Sequence, residues 1–408
     1  MIAGPSPLEP PPCPDLGLAV VIPCHDEPDL PGTLRSLMAC DRPTCATEVI
    51  TVLNHAIHAP SAIRERHRQT LQAASSWAET HADSRLAFHF LDHPDLPERH
   101  AGVGLARKLG MDRAMARLYA VGRPHGVIAS LDADCRVAPD YLQALERHFA
   151  NDPRTPGCAI HFRHELDGLP ARQRAGIAAY ELSLRYIVAG WRYCGLPNAF
   201  HTVGSAMAVR AESYRRQGGM NRRQAGEDFY FLQKIMALGG FTDLTATTVF
   251  PSARVSHRVP FGTGRAMAAW MAGEEEVYRV WHPEVFAIMR PFFADVARLH
   301  DDDAALPAAG SPLGRFLEHV DFDDVLKILR DNTASPAAFR KRFFHWFDGF
   351  RFLKWAHWAR DHGLAEQPVG EAARTLLAWH GLPAPGAGVE ALLAIYDRLE
   401  RLPLRTGR

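Results

Sequence analysis

The chain lacks the marks of secreted, membrane-spanning and nucleic-acid-binding proteins. Its seven cysteines are odd in number and contain no CxxC pair, which argues against a disulfide framework or a cysteine-rich zinc site and points to a reducing compartment. No stretch approaches the roughly eighteen uninterrupted apolar residues of a transmembrane helix. The first residues lack the charged-then-apolar pattern of a signal peptide, so the expected location is cytoplasmic. Neither sign of charge is in excess, with 46 Lys and Arg against 46 Asp and Glu, and this disfavours a general nucleic-acid binder. What is present is 408 residues, 47% of them hydrophobic, enough for two or three packed domains. The 21 histidines would make the chain cationic below about pH 6.

Residues 1–15 are proline-rich and read as a flexible leader. Leu16–Pro23, Glu48–Leu53, Leu86–Leu91 and Gly126–Leu131 are short apolar runs that read as buried strands. Helical patterns at 30–38, 60–82, 104–118 and 141–149 separate or follow them. That alternation predicts an α/β domain with a mostly parallel sheet covered on both faces. Beyond residue 150 the spacing predicts a helix over 172–190, a strand over 201–209, a helix over 228–238 and a strand over 248–255. From about Arg265 only helical patterns appear. The expected organisation is therefore a leader (1–15), an α/β domain (16–264) and a helical C-terminal domain (265–408).

Four local features carry chemistry. Asp132-Ala133-Asp134 follows an apolar strand, at the sheet edge where parallel α/β folds bind ligands. Two carboxylates there suit Mg²⁺ or Mn²⁺, although such a pair also caps turns and helices. Gly226-Glu227-Asp228 opens a helix, where acidic residues suit the macrodipole and where Asp228 could act as a general base assisted by Glu227. Gly102-Val103-Gly104 precedes Arg107 and Lys108, a helix start that could approach and neutralise phosphate. The segment 256–265 combines His257, a potential metal ligand, with Arg258, Arg265 and glycine hinges, the composition of a cap over an anion.

Together and in this order, these pieces resemble the family 2 glycosyltransferases of the GT-A fold. The likeness runs through Val20–Glu27, Glu48–Asn54, Gly102–Lys108, Leu131–Asp134, His201–Arg210, Gly218-Gly219-Met220 and Gly226-Glu227-Asp228, and covers roughly residues 17–262. It implies a GT-A nucleotide-diphospho-sugar transferase fold and transfer of a sugar from a UDP-, GDP- or dTDP-linked donor to an acceptor hydroxyl, with inversion. It places Pro23, Cys24, Glu27, Asn54, Gly104, Arg107, Lys108, Asp132 and Arg265 at the donor. Asp132, Asp134 and His257 fall at a Mn²⁺ or Mg²⁺ ion, and Asp228 with Glu227 at the acceptor. Asn54 stands where relatives often carry a base-reading aspartate, and Lys108 where they often carry asparagine. Other readings are a retaining enzyme of the same fold, a sugar-phosphate nucleotidyltransferase and a non-catalytic scaffold.

The C-terminal region falls outside the resemblance. Phe339, Phe343, Trp346, Phe350 and Leu353 step by four, three, four and three, which predicts one helical face. A buried bundle helix explains that face. A basic amphipathic helix over 339–360, resting on the inner surface of a membrane, is one alternative, and an aromatic platform for sugars or a dimer interface is another. The sequence leaves the acceptor, the sugar and the oligomeric state open.

Overall fold

The computed structural model describes residues 10–81, 83–221, 223, 226–256, 262–274, 277–301 and 304–402. The chain forms two compact units, each assembled from separated segments. One holds the residues up to Glu165 together with Thr202–Arg265; the other holds Leu166–His201 and Ala266–Arg408. Of the expected leader, residues 1–9 lie outside the described residues. Residues 10–15 carry no helix or strand.

The first unit is built on an eight-stranded sheet of order β3-β2-β1-β4-β7-β6-β8-β5. The strands are β1 (Leu16–Cys24), β2 (Ala46–Ala56), β3 (Leu86–Leu96), β4 (Val127–Ser130), β5 (Arg136–Val137), β6 (Gly157–Phe162), β7 (Met207–Arg210) and β8 (Thr242–Phe250). β1 pairs in parallel with β2 and β4, and β2 with β3. Strands β1, β2 and β4 are apolar runs of the sequence, buried along nearly their whole length, as strands covered on both faces must be. β7 runs antiparallel between β4 and β6, and β6 pairs in parallel with β8. The expected mixed α/β architecture with a helical C-terminal region is the one observed.

The helices of this unit are α1 (Leu30–Met38), α2 (Ser61–Thr80), α3 (Val103–Ala120) and α4 (Tyr141–Asn151), then, after the long helix α5 (Ala171–Cys194) of the second unit, α6 (Ala211–Arg216) and α7 (Glu227–Met236). α1 starts where Asp29 accepts a hydrogen bond from the Gly32 N–H at 3.2 Å, with Pro31 in the first turn, where a missing N–H costs nothing. α3 crosses β1 through Gly110, where an added Cβ would run into Val21.

Three expected elements differ. The strand expected over 201–209 is confined to β7, because the N–H of Ala206 donates to Val203 at 3.0 Å and closes a turn before it. The strand expected over 248–255 is β8, which begins earlier and stops at Phe250; Pro251 has no N–H to continue a ladder. The single aromatic helix expected over 339–360 is two helices, broken at Phe347-Asp348.

The second unit holds α5, the later helices and a two-stranded ribbon of β9 (Arg279–Val280) and β10 (Gln367–Pro368). The later helices are α8 (Thr263–Ala272), which starts at the unit boundary, α9 (Glu284–Asp295), α10 (Pro312–His319), α11 (Phe322–Asp331), α12 (Pro336–Trp346), α13 (Gly349–Asp361), α14 (Val369–Trp379) and α15 (Val389–Arg401). α5 packs on α9, α14 and α15, which is why a helix from the middle of the sequence belongs with the C-terminal ones. Gly190 leaves room for the Phe286 ring. Arg185, buried in α5, pairs with Glu181, Asp397 and Glu400. Asp348 caps α13 by accepting from the Arg351 N–H at 3.1 Å. The break turns Phe339, Phe343, Phe347, Phe352 and Trp355 into the core, each with no exposed surface. Among the described residues, no helix is long and apolar enough to cross a membrane.

Candidate active site

The carboxyl ends of β1, β2 and β4 lie side by side, and the sequence places polar residues at each. β1 ends in Pro23 and Cys24, both buried, and the chain turns through Asp26, whose φ is 48°. Beyond that turn Glu27 is buried, 1% exposed. One of its oxygens accepts from the Asp29 N–H at 2.9 Å. β2 ends near Asn54, also buried, whose backbone oxygen lies 2.8 Å from His25 Nδ1 and whose side-chain Nδ2 has no partner among the described residues. β4 ends in Ser130, followed by Leu131 and the Asp132-Ala133-Asp134 turn.

Arg107 ties this edge to α7. It stands in the first turns of α3, 2% exposed. Its Nε donates to Ser130 Oγ at 2.9 Å and one terminal nitrogen donates to Asp132 at 2.7 Å. The other terminal nitrogen donates to Glu227. Gly204 makes room for it: a Cβ there would sit 2.9 Å from the guanidinium carbon and both terminal nitrogens. Gly104 similarly admits the backbone of Arg223, whose oxygen a Cβ at 104 would strike.

α7 opens with Glu227 and Asp228 after Gly226, whose φ of 68° suits glycine. Asn221 Nδ2 donates to the Glu227 backbone oxygen at 3.0 Å. Asp228 accepts from the Gly204 N–H at 2.9 Å. Burial pushes the Asp228 carboxyl above its ordinary value, against the pull of Arg107. Burial, with Asp228 and Asp132 nearby, likewise raises Glu227 to about 6, despite Arg107. Among the described residues, the one Arg107 guanidinium interacts with Glu227, Asp132 and Asp228 together.

Arg254, just past β8, is a further cation and one that the motifs did not single out. It forms a two-pronged pair with Glu27, with one contact at 2.9 Å. It also lies 3.2 Å from Asp134. Burial opposes its charge, yet the two carboxylates prevail and its pKa is raised. In sequence Arg254 is one more basic residue in a polar segment, and no local spacing marks it out.

The structure thus gathers Glu27, Asp132, Asp134, Glu227, Asp228 and Arg107 at the sheet edge, with Pro23, Cys24 and Asn54 at neighbouring strand ends and Gly104 under the approach to α7. Lys108 turns elsewhere, pairing with Asp112 one helical turn on at 2.9 Å. Arg265 is exposed in the first turn of α8. His257 lies outside the described residues.

Two carboxylates at a strand end, Asp132 and Asp134, are hard oxygen donors and fit a divalent cation in kind. Among the described residues, the carboxylates of this edge outnumber the guanidiniums of Arg107 and Arg254 that they share, which favours such an ion in charge. Among the described residues no three His, Cys, Asp or Glu side chains converge as a ready metal centre.

A model of the glycosyl transferase family group 2 matches residues 127–307, a span that includes Asp132, Asp134, Glu227, Asp228 and Arg254. No curated protein matches. Among solved structures, S. aureus TarS 1-349 shares 14% identity at a TM-score of 0.40, over 58% of this chain and 60% of that one. The chain spans 37% of the TarS chain in a second structure. The complex of TarS 1-349 with UDP-GlcNAc is 14% identical at a TM-score of 0.42, over 94% of this chain and 90% of that one. The mannosyltransferase PcManGT of Pyrobaculum calidifontis, in complex with GDP-Man and Mn²⁺, is 17% identical at a TM-score of 0.37, over 97% of this chain and 90% of that one.

Proposed function

We propose that this chain, whose residues 127–307 match the glycosyl transferase family group 2 model, is a glycosyltransferase that moves a sugar from a nucleoside-diphosphate donor to an acceptor hydroxyl, with a divalent cation and with inversion. The observation that carries the reading is the meeting of Asp132, Glu227 and Asp228 around one buried arginine at the carboxyl edge of a largely parallel sheet.

Asp228 is the general base. Its carboxylate is oriented by the Gly204 N–H, and burial raises its proton affinity, which suits a group that must take a proton from a weakly acidic hydroxyl. Glu227, locked to Arg107, keeps α7 in register with the strand ends. Arg107 holds Asp132 and limits the repulsion among the carboxylates. Asn54, whose amide nitrogen near the end of β2 has no partner among the described residues, offers a donor to a carbonyl of the nucleobase.

Asp132 and Asp134 would hold Mn²⁺ or Mg²⁺. Bound there, the ion supplies Lewis-acid neutralisation of the charge that develops on the departing diphosphate. The carboxylates alone would repel that diphosphate. The acceptor is a hydroxyl compound, and the burial of the aromatic residues of α12 and α13 supports a structural role for 339–360 over a membrane-resting one.

The test is a thermal-shift and calorimetric panel of UDP-, GDP- and dTDP-sugars with and without Mn²⁺, then NMR of the product anomer. Cation-dependent binding of one donor class and an inverted product support the reading. Failure of every donor to bind removes it, and a retained configuration removes the direct role of Asp228.

A further inference from the structure

The guanidinium of Arg254 joins three segments of the first unit. It stands on the stretch after β8, pairs through both terminal nitrogens with Glu27 after β1, and lies 3.2 Å from Asp134 after β4. Glu27 has no side-chain exposure, whereas Arg254 retains 31% and Asp134 27%. The Glu27 end of the bridge is therefore sealed and the Asp134 end opens to solvent. A two-pronged pair with a buried carboxylate is strong and geometrically fixed. The 3.2 Å contact with the solvent-facing carboxylate is weaker.

A divalent ion at Asp134 and the Arg254 guanidinium are like charges competing for one carboxylate. At a few ångströms their repulsion opposes simultaneous occupancy. Resting on the donor reading for the cation's purpose alone, we infer that Arg254 is a resident counter-ion of Asp134, which a divalent cation must displace, while its bond to Glu27 keeps the displaced guanidinium at the edge of the donor site. This arrangement lowers the affinity of the nucleotide-free site for metal. It also leaves a cation beside the place where a diphosphate would bring its own negative charge.

The probe is Mn²⁺ alone, titrated into nucleotide-free protein and tracked by loss of the free-ion EPR signal. Replacing the guanidinium in Arg254→Gln should tighten Mn²⁺ binding about tenfold, the equivalent of one released charge-assisted hydrogen bond. Arg254→Lys, which keeps a charge but cannot form the two-pronged pair, should fall between. Because Arg254→Gln takes the two-pronged guanidinium away from buried Glu27, the double variant Glu27→Gln/Arg254→Gln is measured as well; it should show the same tightening with a cooperative melt. Mn²⁺ affinity equal in wild type and the double variant, or absent in both, overturns the inference. Nucleotide titration of wild type separates the two readings. No nucleotide binding with tightened Mn²⁺ binding in the variants sinks the donor assignment and leaves the role of Arg254 standing.

Discussion

The backbone N–H of Gly204 donates to Oδ2 of Asp228 at 2.9 Å, so the loop before β7 aims the carboxylate that opens α7. Asp228→Asn keeps size and can still accept from Gly204, but it cannot take a proton. Transfer should fall by about 10²–10⁴-fold while donor affinity stays near wild type. Single-turnover transfer beside calorimetric donor binding measures both. A variant transferring at the wild-type rate would end the assignment.

Arg107 and Glu227 are both buried and paired across 120 residues of sequence. Arg107→Met strands two carboxylates and should destabilise the fold by about 3–5 kcal/mol. Adding Glu227→Gln removes one of the stranded charges, so the double variant should recover part of that loss. Urea unfolding of the four proteins in the cycle reads the coupling. Strictly additive losses would mean that the two side chains act independently.

The raised pKa of Glu227 makes a definite pH signature. Its folded value is about 6 against an ordinary 4.5, so the fold prefers the protonated carboxyl. The stability this group contributes is fully present below 4.5 and is lost as the pH rises through about 6. Wild type should therefore lose stability relative to Glu227→Gln across that window, as read by urea midpoints at closely spaced pH. Parallel curves for the two proteins would refute the burial-driven shift. Asp228 moves in the same direction, so activity that requires its ionised form should have an acid limb above the ordinary aspartate range.

Gly104 is a packing position with a functional reach. An added methyl would meet the Arg223 carbonyl and lie 3.2 Å from Cγ of Glu227. Gly104→Ala should cost about 1–3 kcal/mol and depress transfer by displacing the chain leading into α7. Thermal melting and turnover are the readouts. Unchanged turnover in a folded variant would show that the segment does not fix the site.

The strand ends of the first unit were legible because β1, β2 and β4 are almost wholly buried and so read as largely apolar runs, each delivering a polar residue at or near its end. β6 was not, since Gly157–Phe162 comes directly after a proline-broken turn and includes a histidine. The antiparallel direction of β7 leaves no local trace. Glu227, Asp132 and Arg107 could each be named from their motifs, but their pairing could not: the Arg107 bridge depends on the close approach allowed by Gly204, almost a hundred residues away. Arg254 carries no motif at all. In the second unit, the aromatic steps of four and three ran through a helix break. The signal was there in Asp348-Gly349, a capping residue followed by glycine, and the periodicity masked it.

Helix α5 has a consequence for any attempt to dissect the molecule. It lies between two stretches of the sheet-bearing unit in the sequence, yet it buries Ile177, Leu182, Tyr186 and Trp191 among helices drawn from the far end of the chain. A gene truncated after Arg265 would still encode that greasy rod and would omit its lining. Such a product should be trapped in inclusion bodies, whereas splicing out 166–201 as well as the tail is the cut the architecture itself suggests.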